Sequence, residues 1–125
     1  VPEAATASSP QADPLWQAAR DAQRIAEERL DREAGASLGR IAIIVGTQRA
    51  RAWGADANGE SALSERVAFL SANASKGLEF DSVVLVEPNE ILSDGTGDLF
   101  VALTRATHDV HVVHASPLPA GMEEW

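Results

Sequence analysis

The sequence is notable first for the residues it lacks. None of its 125 residues is cysteine, which excludes disulfides, thiol catalysis and cysteine-ligated zinc or iron–sulfur sites. Positive charge is scarce, with 10 Lys+Arg against 19 Asp+Glu and a net charge of −9, so the chain alone should repel polyanions. No apolar run approaches the ~20 residues of a membrane helix, and no signal-peptide pattern opens the chain. We expect a soluble, cytoplasmic chain with no membrane partner.

The composition is otherwise typical of one folded domain with short unstructured ends. Hydrophobic residues make up 45% of the chain and charged residues 23%, which is enough apolar material for a core. Residues 1–12 are small or polar, and such residues bury too little to offset the entropy of ordering them. We expect a flexible tail at 1–12, one domain at 13–118 and a linker at 119–125.

Hydrophobic spacing and end signals predict alternating helices and strands. Asp13 offers an N-cap, Pro14 suits the first helical position and Gly35 provides a stop, so a helix is expected over 14–34. Short β-branched runs indicate buried strands. The expected strands are 40–46, 67–70, 81–87 and 109–114, and the expected further helices are 47–53 and 97–107, the latter capped by Asp98. This alternation indicates an α/β fold with a mainly parallel sheet.

The first candidate site is the polar segment between two expected strands, residues 71–81, which reads SANASKGLEFD. Loops at strand ends often carry functional sites. Lys76 is the only lysine of the chain and directly precedes Gly77. A solvated turn is the simpler interpretation of any one residue here, because Lys and Glu on loops are commonplace.

The second candidate is a lone arginine inside an apolar segment, residues 99–107, which reads LFVALTRAT. A guanidinium buried without a partner is costly. Arg105 should therefore pair with a carboxylate, such as Glu79 or Glu87, or reach an anion at the edge of its helix. The residues alone leave both outcomes open.

Together these two segments resemble motifs V and VI of the UvrD/Rep-like superfamily 1 helicases. That family has a KGLEF loop entering a strand, then a helix reading YVALTRA, then another strand; this chain reads KGLEFDSVVLV and later FVALTRATHDVHVV. The resemblance covers roughly residues 65–118 and extends weakly over 14–46. It implies a RecA-like, P-loop-NTPase-like domain, the second (2A) motor domain of an ATP-dependent DNA helicase or translocase, as part of a larger protein.

The resemblance also implies roles for individual residues. Arg105 would reach the γ-phosphate of ATP, where an arginine finger can accelerate phosphoryl transfer by ~10³ to 10⁵. Gly77 and Glu79 would line the nucleotide, the glycine through close backbone approach and the carboxylate at a ribose hydroxyl. Lys76 matches the same motif with a less definite role. Three further residues would face single-stranded nucleic acid: Ser71, Asn73 and Ser75.

The chain lacks half of an ATPase site. Neither a G-x-x-x-x-G-K-[ST] P-loop nor an acidic magnesium-binding motif occurs, so ATP with Mg²⁺ would be held mainly by a first RecA-like domain of the same protein. That domain and single-stranded DNA are the expected partners, and the isolated chain is expected to be inactive.

Two other functions remain open at this stage. Residues 54–64 are too few for the accessory domain that UvrD and Rep insert, and the short interval 88–97 looks closer to the HelD-like RNA polymerase-recycling ATPases, with RNA polymerase as a partner. A noncatalytic protein-interaction module with the same fold is the other alternative.

Three weaker signals complete the sequence. Residues 47–51, TQRAR, faintly resemble motif IV; either Arg49 or Arg51 could correspond to its arginine, and a surface arginine is the simpler interpretation of both. Regular alternation would turn His111 away from His108 and His114, so no metal is expected. The tryptophans are too scattered to form a base-stacking platform and should serve packing or contact absent parts of the protein: Trp16, Trp53 and Trp125.

Overall fold

The computed structural model describes residues 13–35, 39–55 and 66–122. The expected tail at 1–12, most of the segment 54–64 and Trp125 lie outside these ranges. The described elements, in chain order, are α1 (Pro14–Ala34), β1 (Ile41–Val45), α2 (Thr47–Trp53), β2 (Val67–Ser71), a 3₁₀ turn (Asn73–Ser75), β3 (Phe80–Val86), α3 (Pro88–Asp94), α4 (Thr96–Leu103) and β4 (Ala106–Val113).

The four strands form one parallel sheet in the order β2-β1-β3-β4. Ile41 at the start of β1 pairs with Val67 of β2 on one side and with Ser82 of β3 on the other. The two central strands, β1 and β3, therefore have a hydrogen-bonded partner along each edge. Nearly all of their residues are buried, which explains their continuous apolar sequences. The expected parallel sheet is confirmed.

Helices cover both faces of this sheet. On one face α1 and α2 pack against Ile43, Val45 and Val84 through residues such as Ala19 and Trp53. On the other face α3 and α4 contribute Ile91, Leu99 and Ala102 to the larger core cluster. The chain thus builds a three-layer α/β/α arrangement.

Helix α1 begins and ends where its local signals predict. The Asp13 side chain accepts from the backbone N–H of Leu15 at 2.9 Å, and Pro14 occupies the first helical position. Gly35 follows with a φ of 106°, which favours glycine. Alanines and one leucine, spaced by a helical period, give α1 its buried face: Ala19, Ala26 and Leu30.

Two helices differ from expectation. The interval 88–97, for which no helix was expected, contains α3, and Pro88 opens it because proline suits the first helical turn. The expected helix 97–107 is shorter: α4 covers Thr96–Leu103, and Gly95, rather than Asp98, is its N-cap residue. Residues from Ala106 onward pair with β3 instead, so sheet pairing overrides the apolar helical pattern.

The pairing of β3 with β4 contains an irregularity that changes the direction of the histidines. Phe80 pairs with Ala106, but Ser82 pairs with Asp109, so β4 holds one extra residue. His108 lies 3.6 Å from Glu33 of α1, and His111 lies 3.6 Å from Asp109. The expectation that His108 and His111 face apart is wrong, because it assumed unbroken alternation.

Across the described ranges, no helix is long and apolar enough to cross a membrane.

Candidate functional site

The polar loop after β2 is built around a short turn and a glycine. The buried Ser75 hydroxyl donates to the Ala72 carbonyl at 2.6 Å, and the N–H of Leu78 donates to the Ser75 carbonyl at 3.1 Å. Gly77 has a φ of 80°, and a Cβ there would meet nothing within 4 Å. Its conformation therefore requires glycine, while the space beside it is open. Lys76 and Glu79 are exposed on either side.

Arg105 lies beside this loop, at the amino end of β4. Its Nε donates to the Val101 carbonyl at 3.0 Å, its Nη1 to the Leu78 carbonyl at 3.4 Å and its Nη2 to the Thr104 hydroxyl at 3.2 Å. Its own carbonyl accepts from the N–H of Phe80 at 2.9 Å. The residues of the two motif-like segments are thus brought into direct contact.

The acceptors around this guanidinium are all neutral. Within residues 13–35, 39–55 and 66–122, no carboxylate lies within 4.0 Å of Arg105. The expected pairing with Glu79 or Glu87 does not form: Glu79 is exposed, and the buried Glu87 carboxylate instead accepts from the N–H groups of Ala115 and Ser116. The positive charge of Arg105 is therefore uncompensated by its described neighbours.

Two N–H groups of Arg105 take no part in the hydrogen bonds to Val101, Leu78 and Thr104. An arginine carries five N–H donors; the three bonds above leave one N–H on each terminal nitrogen. Paired donors of this kind suit the oxygens of a phosphate or carboxylate. The arrangement can therefore place a charged, partly satisfied guanidinium against an anion that approaches the amino ends of β3 and β4.

The residues expected to face nucleic acid begin at the carboxyl end of β2 and continue into the 3₁₀ turn. Ser71 is the last residue of β2, and Asn73 and Ser75 lie in the turn that follows it. The nearly buried Ser71 hydroxyl accepts from the N–H of Ala74 at 3.1 Å, and the Ser75 hydroxyl is buried and already bonded. Asn73 alone of the three is exposed. The burial of Ser75 argues against its expected contact with a phosphate.

The motif IV-like arginines have different environments. Arg49 forms a two-pronged contact with Glu90 of α3, with Nε–Oε1 and Nη2–Oε2 distances both 2.6 Å, and stacks over Trp53 at 4.9 Å. The hydrogen bond that Arg49 donates to Glu90 outweighs the effect of burial and raises the pKa of Arg49. Arg51 is exposed. Arg49 therefore links α2 to α3 and is not a surface residue as expected.

The expectation that the tryptophans serve packing holds for two of them, although they are not scattered. Trp16 and Trp53 meet edge to face with ring centroids 5.3 Å apart, and Phe69 packs beside both. This aromatic cluster joins α1, α2 and β2 rather than offering stacked faces to a base.

A polar cluster between α1 and the sheet was missed at the sequence level. The Nη1 of Arg29 in α1 pairs with Asp109, and its Nη2 donates to the Ser82 hydroxyl at 2.7 Å. Ser82 in turn donates to Asp109 at 2.5 Å. Burial would raise the pKa of Asp109, but the hydrogen bonds from Ser82 and Arg29 and the charge of Arg29 together lower it. The only sequence signal for this cluster was the presence of single polar residues, Ser82 and Asp109, in otherwise apolar strands.

The fold and the site together identify the structural class of this domain. A parallel sheet covered by helices on both faces, with a basic side chain and a glycine-containing loop at its strand ends, is a RecA-like α/β domain. Residues 66–113 match the family described as the UvrD-like helicase C-terminal domain. The match spans both motif-like segments and confirms the resemblance. No curated protein matches the chain.

Proposed function

We propose that this chain is the C-terminal motor domain of an ATP-dependent UvrD-like helicase or translocase. In this function Arg105 contacts the γ-phosphate of ATP held by a P-loop domain of the same protein. The observation that carries the proposal is the guanidinium of Arg105, which is held by neutral oxygens and has no described carboxylate within 4.0 Å. A charge kept in this state suits stabilisation of the negative charge on a transferring phosphoryl group.

The neighbouring loop supports the same role. Glu79 is exposed next to Leu78, whose carbonyl accepts from Arg105, so a ribose hydroxyl could bond its carboxylate while the phosphates extend toward the guanidinium. The open space at Gly77 permits close backbone approach. Because the chain has no P-loop, the triphosphate cradle and the Mg²⁺ ligands would come from the other domain.

The test is Arg105→Ala in the natural full-length protein. We expect steady-state ATP turnover to fall by at least ~10³ while nucleotide affinity stays within about tenfold, because the contact strengthens in the transition state. Arg105→Lys should also be impaired, since it keeps the charge but loses the planar fork. Arg24→Ala, at an exposed arginine of α1, is the matched control and should turn over ATP normally. Unchanged turnover in Arg105→Ala would overturn the proposal.

A HelD-like ATPase that acts on RNA polymerase is a second candidate, and two observations favour it. The net charge of −9 disfavours a polyanionic partner, and only Asn73 of the three expected nucleic-acid contacts is exposed. Stimulation of ATP turnover separates the candidates: single-stranded DNA should stimulate a helicase, and RNA polymerase a recycling factor. The noncatalytic module has less support, because a purely structural arginine would need a carboxylate to compensate its charge, and no described carboxylate lies within 4.0 Å of Arg105.

A further inference from the structure

The hydroxyl of Thr104 connects the end of helix α4 to the guanidinium that follows it. Thr104 Oγ1 lies 2.9 Å from the Phe100 carbonyl and 3.1 Å from the Val101 carbonyl, and it accepts from Nη2 of Arg105 at 3.2 Å. A hydroxyl has one proton and two lone pairs. The proton is therefore directed back along the helix, and a lone pair is directed at the arginine.

The Val101 carbonyl takes part in the same arrangement. It lies in the last turn of α4 and accepts from the N–H of Thr104 at 3.1 Å. The Nε of Arg105 and the Thr104 hydroxyl approach the same oxygen at 3.0 Å and 3.1 Å. With Nη1 on the Leu78 carbonyl, the guanidinium is held at all three of its nitrogens. The contact with Thr104 is the one made by a side chain, so it can be removed without altering the backbone.

We infer that Thr104 is a positioning residue for Arg105, which fixes the plane of the guanidinium so that its remaining donors meet a phosphate. The inference rests on the proposed function of Arg105. Without the hydroxyl, Nη2 loses its acceptor and the side chain gains rotational freedom about its outer bonds. Misplacement of a catalytic group by an ångström can cost up to ~10²-fold in rate, so the loss should appear in turnover and not in ground-state affinity.

The experiment compares variants of the natural full-length protein. Thr104→Val removes the hydroxyl at nearly constant shape and should lower kcat for ATP about tenfold with KM within about twofold. Thr104→Ser keeps the hydroxyl and should retain near-normal turnover. Thr96→Val makes the same change at an exposed threonine of the same helix, where no hydrogen bond of the side chain is described, and should have no effect.

The double variant Thr104→Val/Arg105→Ala distinguishes the possible failures. If Thr104 acts through Arg105, the double variant should be no slower than Arg105→Ala alone. Normal turnover in Arg105→Ala would defeat the proposed function itself. A large loss in Arg105→Ala with normal turnover in Thr104→Val, or with additive losses, would defeat the role of Thr104 alone. Should Thr104→Val fail to fold, Thr104→Ala gives the same comparison.

Discussion

At the scale of single residues, two arginines of this domain differ in what surrounds them. Arg49 is bound by both oxygens of the Glu90 carboxylate, and its charge is neutralised within the fold. Arg105 is bound by two carbonyls and a hydroxyl, so its orientation is fixed while its charge persists. Neutral acceptors thus position a cation without neutralising it, which is the requirement for a guanidinium that must stabilise charge elsewhere.

The Asp109 cluster gives a prediction at the same scale. Because its folded pKa is lowered, Asp109 contributes stability above its unfolded pKa of about 3.9, and that contribution is lost as the pH falls through the lower folded value. Asp109→Asn should therefore lower the free energy of unfolding by roughly 1–3 kcal/mol at neutral pH, and the difference from wild type should shrink in acid. Urea titrations at pH values from about 7 down to about 2 measure this.

Asp21→Asn is the matched control for that experiment. Asp21 pairs with Arg24 on the exposed side of α1, and such surface pairs contribute little, about 0–1 kcal/mol. A difference between Asp109→Asn and wild type that is as large in acid as at neutral pH would contradict the assigned pKa direction.

At the scale of elements, the β1–α2 junction lies close against the backbone of α3. A Cβ on Gly46 would lie 3.2 Å from both the carbonyl carbon and the carbonyl oxygen of Glu90. The same helix carries the Glu90 carboxylate that binds Arg49. The glycine therefore lets α2 and α3 come close enough for that contact.

A pair of glycine substitutions tests this approach. Gly46→Ala should lower the free energy of unfolding by roughly 1–3 kcal/mol, because backbone must shift to admit the methyl group. Gly97→Ala is the control: it lies within α4, a Cβ there would meet nothing within 4 Å, and alanine should stabilise the helix by about 0.5–1 kcal/mol. Equal effects of the two changes in thermal or urea unfolding would show that Gly46 is not sterically constrained.

Elements with local signals were predictable, and those set by distant contacts were not. Helix α1 has its cap, proline and glycine beside it in the sequence. Beyond the end of α4, the N–H of Phe80 donates to the Arg105 carbonyl, and the pairing of β4 with β3 begins there. These contacts join residues that are far apart in the sequence. In the site, motif resemblance identified Arg105 and its loop. The part played by Thr104 and the burial of Ser75 depend on side-chain packing that no sequence pattern records.

At the scale of the whole molecule, the overall charge opposes the charge of the site. The chain carries a net charge of −9, whereas Arg105 and Lys76 present positive charge at one loop region. Long-range attraction of a polyanion is therefore absent, and any anion must be brought close by other contacts.

This charge distribution predicts weak binding of nucleic acid by the 125-residue chain alone. We expect a dissociation constant for single-stranded DNA weaker than ~10⁻⁶ M at physiological salt, together with no measurable ATP turnover, because the chain has no P-loop. Fluorescence anisotropy with a labelled oligonucleotide and a phosphate-release assay measure the two quantities. Submicromolar binding or steady turnover would count against the proposed division of the site between two domains.

The two hydrogen bonds between the loop and Arg105 run in opposite directions, from Nη1 to the Leu78 carbonyl and from the N–H of Phe80 to the Arg105 carbonyl. They close a ring that contains the backbone of Glu79, so this backbone and the guanidinium are held together. Both are then ordered when the chain folds, and little of their entropy would remain to be lost on encounter with the proposed partner domain. Docking of that proposed domain should accordingly depend on orientation rather than on rearrangement of this backbone.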